Sequence, residues 1–307
     1  MASKDHYVSQ TYLRLFVGPN GGLVPYYKNA RVIVGKSKSP KSICFEIEGN
    51  TNKYFEYPRI LEKRLPAFEN PWKDNVDRLE QRVFNAKTKS KLEHRILDAK
   101  TKFELAGYIA FLRLCTPTAK RIAQQGLSDM HKFVQERVML STTDNATYLS
   151  DKDKCILREV ILKRERGPDI EREHAHAQCM VSLDGVTYRY YCSSWMILIN
   201  ETNIPFITSD NPAILYRQDI QQQIAQTYIP LKPSMALLIT PDLDIDDPTL
   251  EDAKRYSNSK NGFGFIPQSG VTCVNKFNEA IVKSAERMVL HQKKEDWLEQ
   301  LVRKYSK

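Results

Sequence analysis

Hydrophobic residues recur at two different spacings along this chain. In residues 59–178 the spacing is close to that of an α-helix, as Val76, Leu79 and Val83 illustrate. Before and after this region, apolar residues come in short runs or alternate with polar ones, which is typical of β-strands. The pattern predicts about five helical segments in the middle of the chain and strands on both sides.

The strand-like runs near the N-terminus surround a turn. Residues 18–22 read Gly-Pro-Asn-Gly-Gly and predict a β-hairpin made of residues 13–17 and 23–27. Two further strands are predicted at 43–47 and 53–57. A hairpin of this size is too small to be stable alone, so we expect it to join the sheet formed by later strands.

Strands return after the helical region, and two helices follow them. The predicted strands are 186–191, 195–199, 205–208, 213–216, 226–229 and 236–239, and the predicted terminal helices are 275–290 and 294–304. The predicted fold class is α+β, with a mixed, mostly antiparallel sheet built from the N- and C-terminal segments and a helical layer inserted between them. The segments are 1–58, 59–178 and 179–307, forming one integrated domain or two intimate ones.

Three signals predict helix boundaries in the middle region. Pro117 cannot continue a helix, so one helix ends there and another resumes after it. Capping boxes beginning at Thr101 and Ser150 predict two helix starts.

The net charge of +9 predicts an anionic partner, with nucleic acid ahead of an acidic protein or a membrane surface. Residues 1–45 carry seven cations against Asp5 alone, a net charge of +6. The residues predicted to bind phosphates are Arg14, Lys28, Arg31, Lys36, Lys38 and Lys41. The alternative is that these cations are simply solvated and the neighbouring tyrosines pack on the sheet.

His6, Gln10, Asp210 and Asn211 are the leading candidate site. His6 and Gln10 are four residues apart and would face the same way on a helical turn, and Asp210 and Asn211 follow an apolar strand. His6 with Asp210 would be the catalytic pair, as general base or metal ligands, while Gln10 and Asn211 would orient the substrate. The alternative is structural, with Asp210 capping its own turn.

Metal-binding patterns are weak in this sequence. The six cysteines form no Cys-x-x-Cys pair, and His174 and His176 would point apart on a helix. Asp242, Asp244 and Asp246 imitate a calcium loop that lacks its glycine and its final glutamate. No metal ligand is assigned, and the cofactor stays open, with a divalent metal among the alternatives. The acids after residue 241 could hold Mg²⁺ or cover the basic segment.

Several classes of protein are disfavoured. The sequence contains no Walker loop, Gly-x-Gly-x-x-Gly fingerprint, Gly-x-Ser-x-Gly elbow or His-Glu-x-x-His motif. It has neither the apolar run of a signal peptide nor a stretch long enough to span a bilayer. We therefore expect a cytoplasmic protein without a membrane partner.

The opening residues His6 to Phe16 read His-x-Val-x-Gln-x-Tyr-Leu-Arg-x-Phe and resemble the signature of domain of unknown function family 4238. Ser9 stands where that family usually has proline, so a looser turn is expected. The resemblance continues at residues 111–117, 206–212, 228–233 and 274–278 and at Arg287. It departs from the family at Cys115, where an arginine is usual. The resemblance implies a bacterial or prophage protein but no assigned reaction.

Two functions are compatible with these observations. The leading hypothesis is a protein that acts on nucleic acid, as a nuclease-like hydrolase in phage defence, although the sequence leaves open whether it is an enzyme. The alternative is a non-catalytic module that binds a nucleotide, a nucleic acid or a partner in the same pocket. A protein partner or a homo-oligomer stays open, as does a purely structural subunit.

Overall fold

The computed structural model describes residues 2–89, 97–163, 168–217, 224–242, 251 and 261–306. The fold is α+β, as the sequence predicts. The described strands are β1 (Lys4–His6), β2 (Val24–Tyr27), β3 (Phe45–Ile47), β4 (Ser194–Asn200), β5 (Thr208–Ser209), β6 (Ile214–Tyr216), β7 (Gln226–Lys232), β8 (Met235–Thr240), β9 (Asn261–Ile266) and β10 (Met288–His291). The longer helices are α4 (Trp72–Lys89), α5 (Ala99–Cys115), α6 (Pro117–Asn145), α7 (Asp151–Leu162), α8 (Arg172–Val181), α9 (Leu183–Cys192), α10 (Val271–Ser284) and α11 (Asp296–Lys304). The short helices are α1 (Gln10–Leu13), α2 (Ile60–Arg64) and α3 (Pro66–Glu69).

The strands form three open sheets. The largest has five strands in the order β6-β7-β8-β4-β9, and it is mixed because β9 runs parallel to β4 while the other pairs are antiparallel. A three-stranded antiparallel sheet has the order β2-β10-β5, and β1 pairs with β3. The N-terminal strand β2 therefore pairs with a C-terminal strand.

The strands β7 and β8 of the five-stranded sheet are buried on both faces. Along β7 and β8, alternate residues enter different cores: Ile229 and Leu237 face one, Tyr228 and Ala236 the other. The first core also contains residues of α4, α5 and α9, and the second contains residues of β2, α10 and α11. The sheet therefore lies between two layers of helices.

The predicted N-terminal hairpin is wrong. Residues 10–13 are α1 and residues 14–16 form a 3₁₀ turn, because Ser9 caps a helix here. The Ser9 hydroxyl accepts a hydrogen bond from the N–H of Tyr12 at 3.1 Å, and its own N–H donates to the Tyr108 hydroxyl at 2.9 Å. Ser9 is fully buried, so this turn is held firmly where a looser one was expected.

Three later predictions also need correction. Residues 186–191 lie in α9 and not in a strand, since Leu183, Thr187 and Tyr191 are buried at helical spacing. Residues 53–57 form turns, and the predicted helix 275–290 ends at Ser284 and gives way to β10. The strands at 195–199, 226–229 and 236–239 are confirmed, as is the helix within 294–304.

The helix boundaries largely follow the sequence signals. A break at Thr116 separates α5 from α6, Thr116 caps α6 with its hydroxyl, and Pro117 is the first residue of α6. Ser150 caps α7 as predicted, whereas α5 is capped by Asp98, whose carboxylate accepts from the N–H of Thr101.

Candidate functional site

The opening stretch does not place His6 and Gln10 on one helix. His6 ends β1, Ser9 caps the next helix, and Gln10 begins α1. The His6 ring lies against its cross-strand neighbour Phe45, with ring centroids 5.8 Å apart. The 3₁₀ turn Pro40–Ser42 packs against α1, so the basic loop approaches this region.

The His6 imidazole is half-buried. Its Nε2 atom is buried and has no hydrogen-bond partner among the described residues. Burial lowers the pKa of His6, while the main-chain groups of Lys41 and Pro40 oppose that shift. The neutral ring therefore predominates at pH 7 and could accept a proton.

Asp210 is fully buried, and its carboxylate binds three main-chain amides. Oδ1 accepts from the N–H of Glu286 at 2.9 Å, and Oδ2 accepts from Arg287 at 2.7 Å and from Met288 at 3.2 Å. Burial raises the pKa of Asp210 to about 6, and the three amide donors lower it. The carboxylate ties residue 210 to the segment that leads into β10. No hydrogen bond joins it to His6, and its catalytic role stays a prediction.

Asn211 connects two helices. Its Nδ2 donates to the carbonyl of Ser284 at the end of α10 at 3.0 Å, and its Oδ1 accepts from the Thr116 hydroxyl at 3.4 Å. Because Thr116 also caps α6, Asn211 links the end of α10 to the start of α6. A role in orienting a substrate stays a prediction.

A further polar group next to Asp210 was missed by sequence reasoning. Arg121 donates two hydrogen bonds to the Glu286 carboxylate, each of 3.0 Å, and the Thr118 hydroxyl donates to the same carboxylate at 3.0 Å. These pairs hold α6 against the segment that Asp210 anchors. The resemblance drew attention to Arg287, but the neighbouring Glu286 carried no pattern of its own.

A buried ionic group was also missed. The Lys120 ammonium group donates to the carbonyl of Gly49 at 2.7 Å and lies 3.5 Å from Glu46, which also pairs with Arg172. Burial lowers the pKa of Lys120. Burial also lowers the pKa of neighbouring His176 to about 3, so this histidine is neutral. The only sequence signal for this group was that Lys120 has no aspartate or glutamate close to it along the helix.

Six cations of the N-terminal segment are exposed: Lys4, Arg14, Arg31, Lys36, Lys38 and Lys41. We call them the basic N-terminal segment. None of the six forms a salt bridge with a residue that the structure describes. Arg14 donates to the Gln10 amide oxygen at 3.4 Å, and Lys38 lies over the Tyr27 ring. Residues 34 and 38 bridge to residues 26 and 23, so the part of the chain that carries Lys36 and Lys38 follows the outer edge of β2.

The remaining two charges of residues 1–45 are internal. Asp5 is buried and pairs with Arg59 at 2.8 Å, so its charge is neutralised within the fold. Lys28 donates to the carbonyls of Val282 and Ala285 at 3.0 and 2.9 Å. The ammonium group of Lys28 therefore already contacts the end of α10, and its predicted phosphate-binding role stays a prediction.

Within the described part of the chain, no three His, Cys, Asp or Glu side chains are grouped as metal ligands would be. His174 lies edge-on to the Tyr54 ring, with centroids 5.2 Å apart, and His176 belongs to the buried ionic group. Most of the acidic stretch that begins at Asp242 lies outside the described residues. All six cysteines are free thiols.

The fold and the site define an α+β protein with an exposed basic segment and a buried, amide-bound aspartate. The chain belongs to the family described as "Protein of unknown function (DUF4238)", which matches residues 4–295. No curated protein and no solved structure matches the chain. None of the helices in the described ranges is long and apolar enough to cross a membrane.

Proposed function

We propose that this protein binds nucleic acid through the basic N-terminal segment. The observation that carries the proposal is that its six exposed cations have no carboxylate partner among the described residues. Elsewhere, exposed arginines such as Arg64, Arg158 and Arg303 lie 2.6–2.7 Å from carboxylates. Cations left unpaired on one segment attract an anionic polymer, because each phosphate contact releases condensed counterions.

The catalytic form of this proposal is a nuclease-like effector of phage defence in the cytoplasm. Support comes from His6, whose ring is half-buried and neutral at pH 7, the form that a general base needs. The Pro40–Ser42 turn brings Lys41 towards this ring. Asp210 would act in this reaction as a positioning residue, since its oxygens already hold three amides.

The second candidate is a binding module without catalysis. It is favoured by Asp210, which is fully buried and engaged in structural hydrogen bonds. In this form the basic segment holds the phosphates and His6 contributes only to recognition.

Binding is tested by the salt dependence of affinity for labelled single- and double-stranded DNA and RNA. We expect the triple variant Lys36→Gln, Lys38→Gln, Lys41→Gln to reduce the slope of log K against log salt by about one unit for each phosphate that the segment no longer binds. The control is Lys163→Gln, an exposed lysine outside the basic segment that pairs with Glu159 at 3.2 Å. Equal slopes in the wild type and the triple variant would refute binding by this segment.

Catalysis is tested in the same samples with Mg²⁺, with Mn²⁺ and with chelator. His6→Gln keeps a polar side chain of similar length but cannot act as a base. If the protein is a nuclease, this variant loses cleavage and retains binding. Binding by the wild type without cleavage under any of these conditions identifies the non-catalytic module.

A further inference from the structure

The ribbon formed by β1 and β3 carries a partly buried aromatic ring, that of Phe45, which belongs to neither of the two cores that the described residues form. The register places His6 opposite Phe45, with the ring centroids 5.8 Å apart. The Lys4 ammonium group lies over the same ring, 4.9 Å from its centroid. Ile47 is opposite Lys4 and 56 % exposed. Because side chains alternate between the faces of a strand, these four residues share one face. We call them the β1–β3 platform.

The opposite face of the ribbon is held by ion pairs. The Asp5 carboxylate lies 2.8 Å from Arg59, and the Glu46 carboxylate lies 3.5 Å from Lys120 and 3.1 Å from Arg172. Asp5 and Glu46 are cross-strand neighbours, so these pairs fix both strands from one side. The ribbon is therefore anchored through its inner face and presents the platform on its outer face.

Both residues that flank β3 have a left-handed backbone, which is uncommon for residues other than glycine. The φ angle is 55° at Cys44 and 52° at Glu48. Hydrogen bonds to the N-terminal strand region hold both ends, since the N–H of Tyr7 donates to the Cys44 carbonyl at 3.0 Å and the N–H of Glu48 donates to the Ser3 carbonyl at 2.9 Å. Such a conformation persists only where its surroundings fix it, so the direction of the platform side chains is fixed as well.

The charge beside the platform is positive. Lys4 and Lys41 are exposed and form no salt bridge with a residue in the described ranges. The main chain of Lys41 lies next to the His6 ring. By contrast, the nearby carboxylate of Glu48 is already bound by Arg59 at 2.8 Å. The platform thus combines an aromatic ring with unpaired cations, and this combination favours a polymer that carries both flat bases and phosphates.

Lys4 covers the Phe45 ring with a group that can move. A contact between an exposed cation and an aromatic face is weak, and a lysine side chain is flexible. Its ammonium group can therefore leave the ring for a phosphate while a planar base takes its place on the ring. After this exchange the ring is still covered and the ammonium group is next to an anion, so neither group loses its partner.

We propose that the β1–β3 platform stacks an unpaired base of a single-stranded nucleic acid on the Phe45 ring. The proposal rests on the proposed function, binding of nucleic acid by the basic N-terminal segment, and it names the form of the polymer. A duplex keeps its bases stacked on each other, so it offers the ring no free face. Every base has a π face, so the platform selects single strands without selecting a sequence. Lys4 and Lys41 would bind the adjoining phosphates.

The same position suits the catalytic form of the proposed function. His6 is the cross-strand neighbour of Phe45, so a nucleotide whose base lies on Phe45 would have its sugar and phosphate next to the His6 ring. The platform would then act in positioning, and His6 in proton transfer.

Fluorescence anisotropy of the full-length protein with labelled strands of equal length tests the platform. The probes are a thymidine DNA strand, a uridine RNA strand and the same DNA backbone with abasic sites in place of the bases. The abasic strand keeps the phosphates and lacks the bases, so it separates stacking from phosphate binding. At one salt concentration, we expect the thymidine strand, the uridine strand or both to bind about tenfold more tightly than the abasic strand.

Two substitutions of Phe45 assign this preference to its ring. Phe45→Leu keeps an apolar side chain without a ring, and we expect it to bind the preferred strand no better than the abasic strand, a loss of about tenfold. The slope of log K against log salt should stay the same, because no cation is removed. Phe45→Tyr keeps the ring and should keep the preference. Phe133→Leu on α6 is the matched control, since that ring is 57 % exposed and has Arg137 over it at 5.2 Å.

The outcomes separate this inference from the proposed function. Equal affinity of the wild type for intact and abasic strands overturns the platform and leaves phosphate binding by the basic N-terminal segment in place. An unchanged preference in Phe45→Leu, with native far-ultraviolet circular dichroism, also overturns it. Absence of binding to every probe overturns the proposed function and the platform together. The comparison of intact and abasic strands uses the wild type, so it decides the question even if Phe45→Leu does not fold.

Discussion

Asp210 is a buried charge whose hydrogen bonds all go to main-chain amides. In Asp210→Asn the side chain keeps one acceptor oxygen, and its NH₂ group faces donors that it cannot accept from. Leaving buried amides unpaired should lower the free energy of unfolding by about 2–4 kcal/mol. Urea denaturation monitored by fluorescence measures this loss.

The control for that substitution is Asp184→Asn. Asp184 is exposed and pairs with Arg64 at 2.7 Å, so its loss should change the free energy of unfolding by less than about 1 kcal/mol. An Asp210→Asn protein as stable as the wild type would show that the three amides do not depend on the charge.

Lys102 provides a pH-dependent prediction. Burial lowers the pKa of Lys102 to about 7, and its Nζ donates to the carbonyl of Ser193 at 2.8 Å. Below pH 7 the lysine is charged in both the folded and the unfolded protein, and its burial cost is fully present. Between pH 7 and its unfolded pKa of 10.5, the unfolded state binds more protons, so this residue makes stability rise with pH, by at most about 1.4 kcal/mol per unit.

Lys102→Met removes that titration. We expect the difference in unfolding free energy between the variant and the wild type to favour the variant most at pH 6 to 7 and to shrink towards pH 9. Denaturation curves at several pH values measure the difference, in which the other titrating groups cancel. Parallel curves for the two proteins would contradict the shifted pKa.

Sequence reasoning drew attention to Asp210 but could not identify the groups that it binds. Asp210 was noticed because it follows an apolar strand, and the structure makes it a fully buried anchor. Its partners are main-chain amides 76 to 78 residues away. Because every residue except proline has a main-chain N–H, the amino-acid sequence does not show which of them Asp210 binds. For the same reason the sequence could not separate Lys28, which caps a helix, from Lys36, which is exposed.

At the scale of elements, Lys28 offers a prediction about α10. The last carbonyls of a helix lack partners inside it, and a cation there also interacts favourably with the helix dipole. Lys28→Met should therefore lower the free energy of unfolding by about 1–2 kcal/mol. The salt dependence of nucleic-acid binding should stay as in the wild type, because this ammonium group contacts carbonyls and not solvent-exposed phosphates.

Both parts of the Lys28 prediction are needed. A smaller salt slope in Lys28→Met, with unchanged stability, would instead support the predicted phosphate-binding role of this lysine.

Errors in the predicted elements have a common cause. Residues 186–191 are rich in β-branched and aromatic side chains, but their packing against α5 buries Thr187 and Tyr191 on one helical face and outweighs local propensity. Around residue 10, the serine cap favours a helical turn where the following glycines suggested a hairpin. Long periodic helices such as α4 and α6 were predictable because many residues repeat the same signal.

At the scale of the whole molecule, the five-stranded sheet makes the two cores interdependent. Trp72 and Trp195 lie in the first core and Trp297 packs against the second. Since unfolding of either core would expose one face of the shared sheet, we expect a single cooperative transition. Tryptophan fluorescence and far-ultraviolet circular dichroism should give coincident urea curves. Two separated transitions would show that the cores are stable independently.

The fold class was predictable and the order of the strands was not. Alternation of spacing along the chain is a local property and indicates α+β directly. The pairing of β4 with β9, or of β2 with β10, joins residues more than sixty positions apart, and such partners are chosen by the complete core. The pattern of a single sequence therefore does not show which strands pair.

The pairing of β2 with β10 also bears on how the protein is made. Val24 and its partner residue His291 are 267 positions apart, so Val24 leaves the ribosome well before His291 is added. At about 5–20 residues per second, the first strand waits roughly 15–50 s for its neighbour. During this time its hydrogen-bonding edge is open to other chains, so we expect nascent molecules to be prone to association through it. A chain that terminates before residue 288 never closes this edge, however much of the remaining sequence has been translated.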